Sequence, residues 1–425
     1  MKLRNILIVF FAIIVALIVF YIIKVWQFYN TSFIKPNTTV VATQGAEAKS
    51  VYNILVLGYG GANHDGAYLT DTMMVVHIDI KNKKVHLTSI PRDLWVKLPT
   101  KSGTDFHAKI NSVYQTALYP KNYPDINIKE SGDAGAAILV KDAVKQITGI
   151  EIDNYMALDF DGFKKGVDLL GGVEVNVEKS FVDPVYPVDG KEKELCGKEE
   201  QFTQIEKFLN GKNYDTDDQK RERDELFKNK PELEQFLKDI SEDPSVAFPC
   251  RYENLKFEKG VQTMNGETAL KYVRSRHSLQ DGTDFGRAAR QQRFLEGVRN
   301  RVVSVLFIPK IIPLLDQLKD YVRMDITTDL IKTLLSEAPQ NKKYKISNFV
   351  ISNENYVKNS YSDYGGFILI PKAGDDNWDE VQWAVKNSML GITPTLTPSP
   401  TLKPSPTLKP SPTPRVKKKV ISPTP

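Results

Sequence analysis

Residues 53–90 read NILVLGYGGANHDGAYLTDTMMVVHIDIKNKKVHLTSI, and this stretch decides the fold. Its short apolar run at 53–57 has the length and character of a buried strand. Residues 58–70 follow with Gly58, Gly60, Gly61 and Gly66, a flexible loop. Residues 71–80 and 85–90 are apolar-rich segments joined by the polar turn KNKK, which predicts a hairpin. Downstream, strands and helices alternate, the pattern of an α/β fold with helices covering a central sheet. A hairpin inside that pattern makes the sheet mixed, because a purely parallel sheet has crossover connections only.

Working outward, helices are predicted over 108–118 and 134–147, a strand over 155–160, a short helix over 162–170 and a strand over 173–177. Residues 184–258 break the rhythm. They are charged, contain both cysteines and carry one predicted helix at 217–240, so they read as an insertion standing off the sheet. A helix is expected over 266–273. Asp284 is placed to cap a long helix from 285 to about 307, with Leu295, Val298, Val302 and Val305 facing inward. More helix is expected over 309–338, and late strands over 344–351 and 366–370.

The chain has 425 residues, a net charge of +5 and a pI of about 8.8, a mildly basic balance that does not suggest nucleic acid. Residues 5–23 hold no charge and, as a helix, reach roughly 28 Å, about one hydrocarbon core. Lys2 and Arg4 precede them. The expected reading is an uncleaved single-pass anchor with residues 1–4 in the cytoplasm and the body on the extracellular face. A cleaved signal peptide and a buried core helix are the alternatives. Residues 24–50 read as a stalk and 51–389 as the extracellular domain. Residues 390–425 read as a disordered tail in which PTLTPS, PTLKPS and PTLKPS repeat with a period of six. That basic tail either threads an anionic wall polymer or is simply solvated. Cys196 and Cys250 suit an oxidising exterior and are expected to bridge, two free thiols being the other state.

The chain has no GxxxxGK[ST], HExxH or GxSxG, and its cysteines lack zinc spacing. Nucleotide-loop, zinc-protease and serine-hydrolase chemistries therefore have no motif to rest on. Acids and arginines remain. Residues 271–295 (KYVRSRHSLQDGTDFGRAARQQRFL) contain Arg274, Arg276, Arg287, Arg290 and Arg293 with Gln291 and Gln292. Guanidinium groups match phosphate oxygens two at a time; the plain alternative is a solvated basic face. Asp71 begins a strand at the mouth of the glycine-rich loop, where a carboxylate can hold a hard cation such as Mg²⁺. Arg92 and Asp93 end the paired strand, so the hairpin brings them near Asp71. Arg274 and Arg276, two apart, face one side in extended chain. Arg287, Arg290 and Gln291 share a helix face. Arg287 lies in a first turn, where the helix dipole disfavours a cation unless an anion binds there. Taken singly, Asp71 reads as a turn cap and Arg92–Asp93 as a surface ion pair. Together, outside a membrane, they point to a phosphate-ester site.

The blocks NILVLG, LTDTMMVVHID, VHLTSIPRDLWV, AKINSVY, GGVEVNV, NGETALKYVRSRHS and DFGRAARQQRF run in order from about residue 52 to 298. In this they resemble the LytR–CpsA–Psr family of cell-wall enzymes, and more loosely so to about residue 372. The resemblance implies a three-layer α/β/α domain. It also implies transfer of a glycopolymer from a polyprenyl pyrophosphate carrier to the 6-hydroxyl of N-acetylmuramic acid in peptidoglycan, forming a phosphodiester. Carried over residue by residue, Asp71 matches a magnesium ligand. Arg92, Arg274, Arg276 and Arg287 match pyrophosphate contacts. Gln291 matches a neighbouring polar contact and Lys109 a further phosphate contact. Arg290 is a second-rank substrate contact, Arg293 plain surface, and Asp93 either a base or an orienter of Arg92. An apolar tunnel for the polyprenyl chain is implied as well. One departure stands out: Tyr59 occupies a position where relatives often carry an acid, leaving Asp65 as a substitute metal ligand. A lipid pyrophosphate hydrolase and a non-catalytic lipid-glycan or wall-binding protein are the alternative functions.

Overall fold

A computed structural model describes residues 49–392 except 63, 65, 210–216, 283, 303–317, 319, 338–339 and 341–342. The expected membrane span at 5–23, the stalk up to 48, the tail from 393 and the candidate ligand Asp65 lie outside the described residues. Among the described residues no helix is long and apolar enough to cross a membrane.

The strands in chain order are β1 Val51–Tyr59, β2 Thr70–Asp79, β3 Lys84–Ser89, β4 Trp95–Lys97, β5 His107–Lys109, β6 Asn154–Asp159 and β7 Val173–Val177. Then come β8 Phe181–Pro187, β9 Tyr252–Phe257, β10 Gly260–Met264, β11 Val322–Met324, β12 Lys345–Val350, β13 Val357–Tyr361 and β14 Phe367–Pro371. The helices are α1 Ile110–Leu118, α2 Gly132–Thr148, α3 Phe160–Leu169, α4 Glu199–Ile205, α5 Asp217–Asn229 and α6 Pro231–Glu242. They continue with α7 Pro244–Ala247, α8 Gly266–Arg274, α9 Asp284–Val302, α10 Thr328–Glu337 and α11 Asp379–Met389.

The central sheet has the order β11-β6-β1-β2-β3-β12. β1 runs antiparallel to β2 and parallel to β6, and β12 runs parallel to β3, so the sheet is mixed. The predicted hairpin is β2–β3, with His77 opposite His86. Side chains alternate along a strand. Leu55, Leu57, Met73 and Val75 therefore share one face, where they join the largest core with residues of α1, α2 and α11. Leu55 and Leu57 are fully buried, each worth about 2 kcal/mol in area removed from water. Thr72, Met74 and Ser89 point to the opposite face. There α9 docks, with Gln291 Nε2 donating to Thr72 Oγ1 at 3.0 Å and Gln292 Nε2 to Ser89 Oγ at 3.4 Å.

Helix boundaries follow local chemistry. α2 stops at Gly149, which is left-handed at φ 70°, the conformation that suits glycine after a helix. α3 is capped by Asp159, whose carboxylate accepts from the Gly162 amide at 2.7 Å. α8 is capped by Asn265, accepting from the Thr268 amide at 2.9 Å. The single helix predicted over 217–240 is two, α5 and α6, because Pro231 cannot continue the first and starts the second. The helix predicted from 108 begins at Ile110 after the short strand β5, and strand β11 lies within the region predicted helical over 309–338. Phe294, not Leu295, is the buried anchor of α9 in a second core with β7, β8 and α8, against which Val298 and Val302 pack. The insertion has its own small core of Ile205, Phe208, Leu233, Phe236, Ala247 and Phe248. The Cys196–Cys250 disulfide forms beside it.

Candidate functional site

The β1–β2 register shifts between Gly58 and Tyr59: Gly58 pairs with Thr72, but Tyr59 pairs with Thr70. Asp71 is thus the extra residue of a β-bulge, a device that re-aims a side chain. Gly58 permits the close approach, since a Cβ there would meet Thr72 Cβ at 3.2 Å. The bulge turns the Asp71 carboxylate to the sheet's rim, where Arg92 Nη1 donates to Oδ1 at 2.5 Å. Arg92 also lies 3.5 Å, Nε to Oδ2, from Asp93. The other Asp93 oxygen accepts from Lys109 Nζ at 2.9 Å. One chain of alternating charge therefore joins Asp71, Arg92, Asp93 and Lys109, running from β2 through the β3–β4 connection to β5. Asp71 and Lys109 at the two ends are 43% and 34% exposed and Asp93 between them 10%, so the charge chain meets solvent at both ends and is buried at its middle.

A small cavity opens beside Asp71, lined by Thr72, Ser89, Ile351, Arg287 and Gln291. Arg287 is buried on the first turns of α9. Arg274, at the end of α8, lies outside that lining but near enough for the Asp71 charge to act on it. Its guanidinium lies over the Phe160 ring at 4.3 Å, and its Nη1 donates to Asp189 Oδ1 at 2.9 Å. Burial disfavours the Arg274 charge, but Tyr186, Asp189 and Asp71 outweigh it and its pKa is raised. On the other side of Arg92 an open cleft is lined by Trp95, His107, Lys109, Asn111 and Tyr123.

The structure brings Asp71, Arg92, Asp93, Lys109, Arg274, Arg287 and Gln291 to one rim. Arg276 lies two residues from Arg274, half-buried in the turn between α8 and α9. Arg290 is placed differently. It is 1% exposed, with Nε donating to Tyr272 O at 3.1 Å, Nη1 to Asp281 Oδ1 at 2.6 Å and Nη2 to Ser275 O. It braces the turn that carries Arg274 and Arg276 from behind. Arg293 pairs with Glu178 at the surface. Asp189 and Phe160, which hold the Arg274 side chain, carry no motif that could have singled them out.

For a hard cation, Asp71 offers a half-exposed carboxylate at the cavity's mouth, which suits an anchoring ligand. Tyr59 does not replace a second acid. Its ring is buried against Tyr68 and Tyr114, and burial, with Asp159 nearby, pushes its phenol far up and keeps it neutral. Among the described residues, the grouping of ligand-type atoms close enough for one ion is His64, Asp189 and Glu192. Asp189 there is already engaged by Arg274.

The LytR_cpsA_psr family profile matches residues 22–369. The chain is 27% identical over 281 residues to the polyisoprenyl-teichoic acid–peptidoglycan teichoic acid transferase TagV of Bacillus subtilis, covering 65% of this chain and 50% of that one. It is 24% identical over 289 residues to the TagU transferase of Oceanobacillus iheyensis, covering 68% and 63%. The chain thus spans about half of one of these relatives and under two thirds of the other. The crystal structure of Bacillus subtilis TagV aligns with a TM-score of 0.48 at 23% identity, over 82% of this chain and all of that one.

Proposed function

The chain belongs to the LytR_cpsA_psr family, and on that premise we propose that it transfers a glycopolymer from a polyprenyl pyrophosphate carrier to peptidoglycan. The new link is a phosphodiester. The observation that carries this reading is the set of cations gathered around the bulged Asp71: Arg92 in an ion pair with it, Arg287 lining the cavity beside it, and Arg274 near enough for the Asp71 charge to act on it. A pyrophosphate diester brings two negative charges to the site, and a third negative charge develops on the leaving phosphate as the bond breaks. Cations fixed in a partly buried site stabilise such charge without reorganising. The relatives' names, transferases that join polyisoprenyl-linked teichoic acid to peptidoglycan, agree with that chemistry.

In the proposed reaction a sugar hydroxyl oxygen attacks the phosphorus that bears the glycan. A new O–P bond forms and the bond to the bridging oxygen breaks. Polyprenyl phosphate leaves with that oxygen, and the hydroxyl proton is released. Arg92, Arg274, Arg276 and Arg287 bind the pyrophosphate oxygens, with Lys109 and Gln291 as flanking contacts. Asp93 acts as the orienter of Arg92, because its two oxygens face Arg92 and Lys109. Mg²⁺ held by Asp71, when bound, would add Lewis-acid neutralisation of the phosphate charge. The three-layer arrangement of the domain, its anchoring by residues 5–23 and its extracellular placement belong to the same proposal. So do the polyprenyl-linked donor and the peptidoglycan acceptor as partners.

The test uses the full chain in lipid vesicles with a labelled polyprenyl-pyrophosphate glycan, with and without peptidoglycan. Label is expected to become wall-linked, with polyprenyl phosphate released only when acceptor is present. Equal release without acceptor would make the protein a hydrolase. Retention of the donor with no turnover under any acceptor would make it a binding protein. Either result overturns the proposal.

A further inference from the structure

We propose that Asp183 is a positioning residue that fixes the arginine-bearing turn between α8 and α9. Asp183 lies on β8, at the root of the insertion, and is completely buried. Its Oδ2 accepts three hydrogen bonds: from Ser275 Oγ at 2.7 Å, Arg276 N at 3.1 Å and His277 N at 3.2 Å. Its Oδ1 accepts from Val185 N at 3.2 Å. Successive amides wrapped around one anionic oxygen form a nest. While both amides point at that oxygen, the peptide planes on either side of the Arg276 Cα cannot pivot.

The rest of β8 supports the same turn. Leu279 N donates to Val182 O at 2.9 Å, and Val182 N donates to Gln280 Oε1 at 2.8 Å. Asp189, just beyond β8, takes the Arg274 guanidinium. From the opposite side Arg290 donates to Ser275 O and Tyr272 O. Ser275 is therefore held through its hydroxyl by a buried acid and through its carbonyl by a buried arginine. A carboxylate buried this deeply is tolerated only when its oxygens are saturated with donors. Here three of the four donors belong to the turn that carries Arg276 and follows Arg274, two of the proposed pyrophosphate contacts.

The catalytic arm of this proposal rests on the transfer reading above; the structural arm does not. Hydrogen exchange on the full chain is expected to speed up about tenfold or more at the Arg276 and His277 amides in Asp183→Ala, with exchange elsewhere in the central sheet unchanged. Asp183→Asn, which keeps one acceptor oxygen, is expected to restore most of the protection. In the transfer assay Asp183→Ala is expected to lose about tenfold or more in rate. The double variant with Arg276→Ala should fall no lower than Arg276→Ala alone, since two changes acting through one side chain do not add. Unchanged exchange at 276 and 277 in the folded variant overturns the proposal, as does a multiplicative loss in the double variant. Should Asp183→Ala not fold, Ser275→Ala removes one donor and is read by the same two criteria. If the wild type transfers nothing, the transfer reading fails while the exchange result still decides the positioning role.

Discussion

Replacing Arg92 with alanine should separate folding energetics from catalysis. Its partner Asp71 is 43% exposed, so water screens that ion pair and it contributes at most about 1 kcal/mol to stability. Its other partner, Asp93, keeps Lys109 at 2.9 Å and is not left as an orphaned acid. The expected loss is therefore about 1 kcal/mol, roughly 1–2 °C in Tm for a domain of about 340 residues. The barrier should respond more strongly. A preorganised cation facing developing phosphate charge is worth about 2–4 kcal/mol, so transfer should fall by roughly 10²–10³. Arg92→Lys keeps the charge but loses the planar fork and should fall between, about tenfold below wild type. Initial rates of wall-linked label and thermal unfolding are measured on the same preparations. An Arg92→Ala rate within about threefold of wild type would refute the assignment of Arg92 to the reacting phosphates. A Tm drop of more than about 10 °C would refute the claim that its role in folding is minor.

Other outcomes follow from the same geometry. Arg290→Ala should destabilise by about 3 kcal/mol in denaturant unfolding, because it leaves the buried Tyr272 and Ser275 carbonyls without their donor, while Asp281 keeps the Ser278 hydroxyl. Arg293→Ala, which breaks a surface pair with Glu178, should change stability by less than about 1 kcal/mol. Reducing Cys196–Cys250, 54 residues apart, removes about 4 kcal/mol on the chain-entropy estimate. Limited proteolysis should then cut within 184–258 before it reaches the central sheet. Burial, with His77 adding to it, lowers the His86 pKa to about 4. Its folded pKa lies below the unfolded value, so its contribution is complete above about pH 6.5 and is lost as pH falls towards 4, by about 3 kcal/mol in all. Unfolding free energies at pH 7 and 4.5 should therefore differ less in His86→Leu than in wild type.

The hairpin and the α/β alternation were legible because period-two and period-3.6 apolar patterns report directly on burial. Strand 173–177 has the predicted bounds, and 344–351 and 366–370 fall within a residue or two of β12 and β14. Short strands such as β4, β5 and β11, three residues each, hold too few residues to show a period. The bulge at Asp71 was invisible for a different reason. It is a mismatch between two strands, and neither strand carries it alone. Arg290 shows the same limit from the charge side. Its spacing from Arg287 and Gln291 put it on the right helix face, but only the packed turn behind it decides that it faces protein instead of the cavity. Asp183 was not legible at all, because nothing local in FVDPVY announces that its partners lie some ninety residues away.

The insertion leaves and re-enters the domain through neighbouring rungs of one ladder, Pro187 opposite Tyr252 at the outer end of β8–β9. Its hydrophobic cluster shares no member with the other two. In engineering terms this is a socket. Residues 188–251 can be excised and replaced by a tight turn, turning β8–β9 into an ordinary hairpin. Asp183 and its hold on the turn would survive that operation; Asp189 and its ion pair with Arg274 would go, leaving the Phe160 ring under that guanidinium. A graft at this socket can therefore retune one arginine of the site while leaving its neighbour's backbone in place.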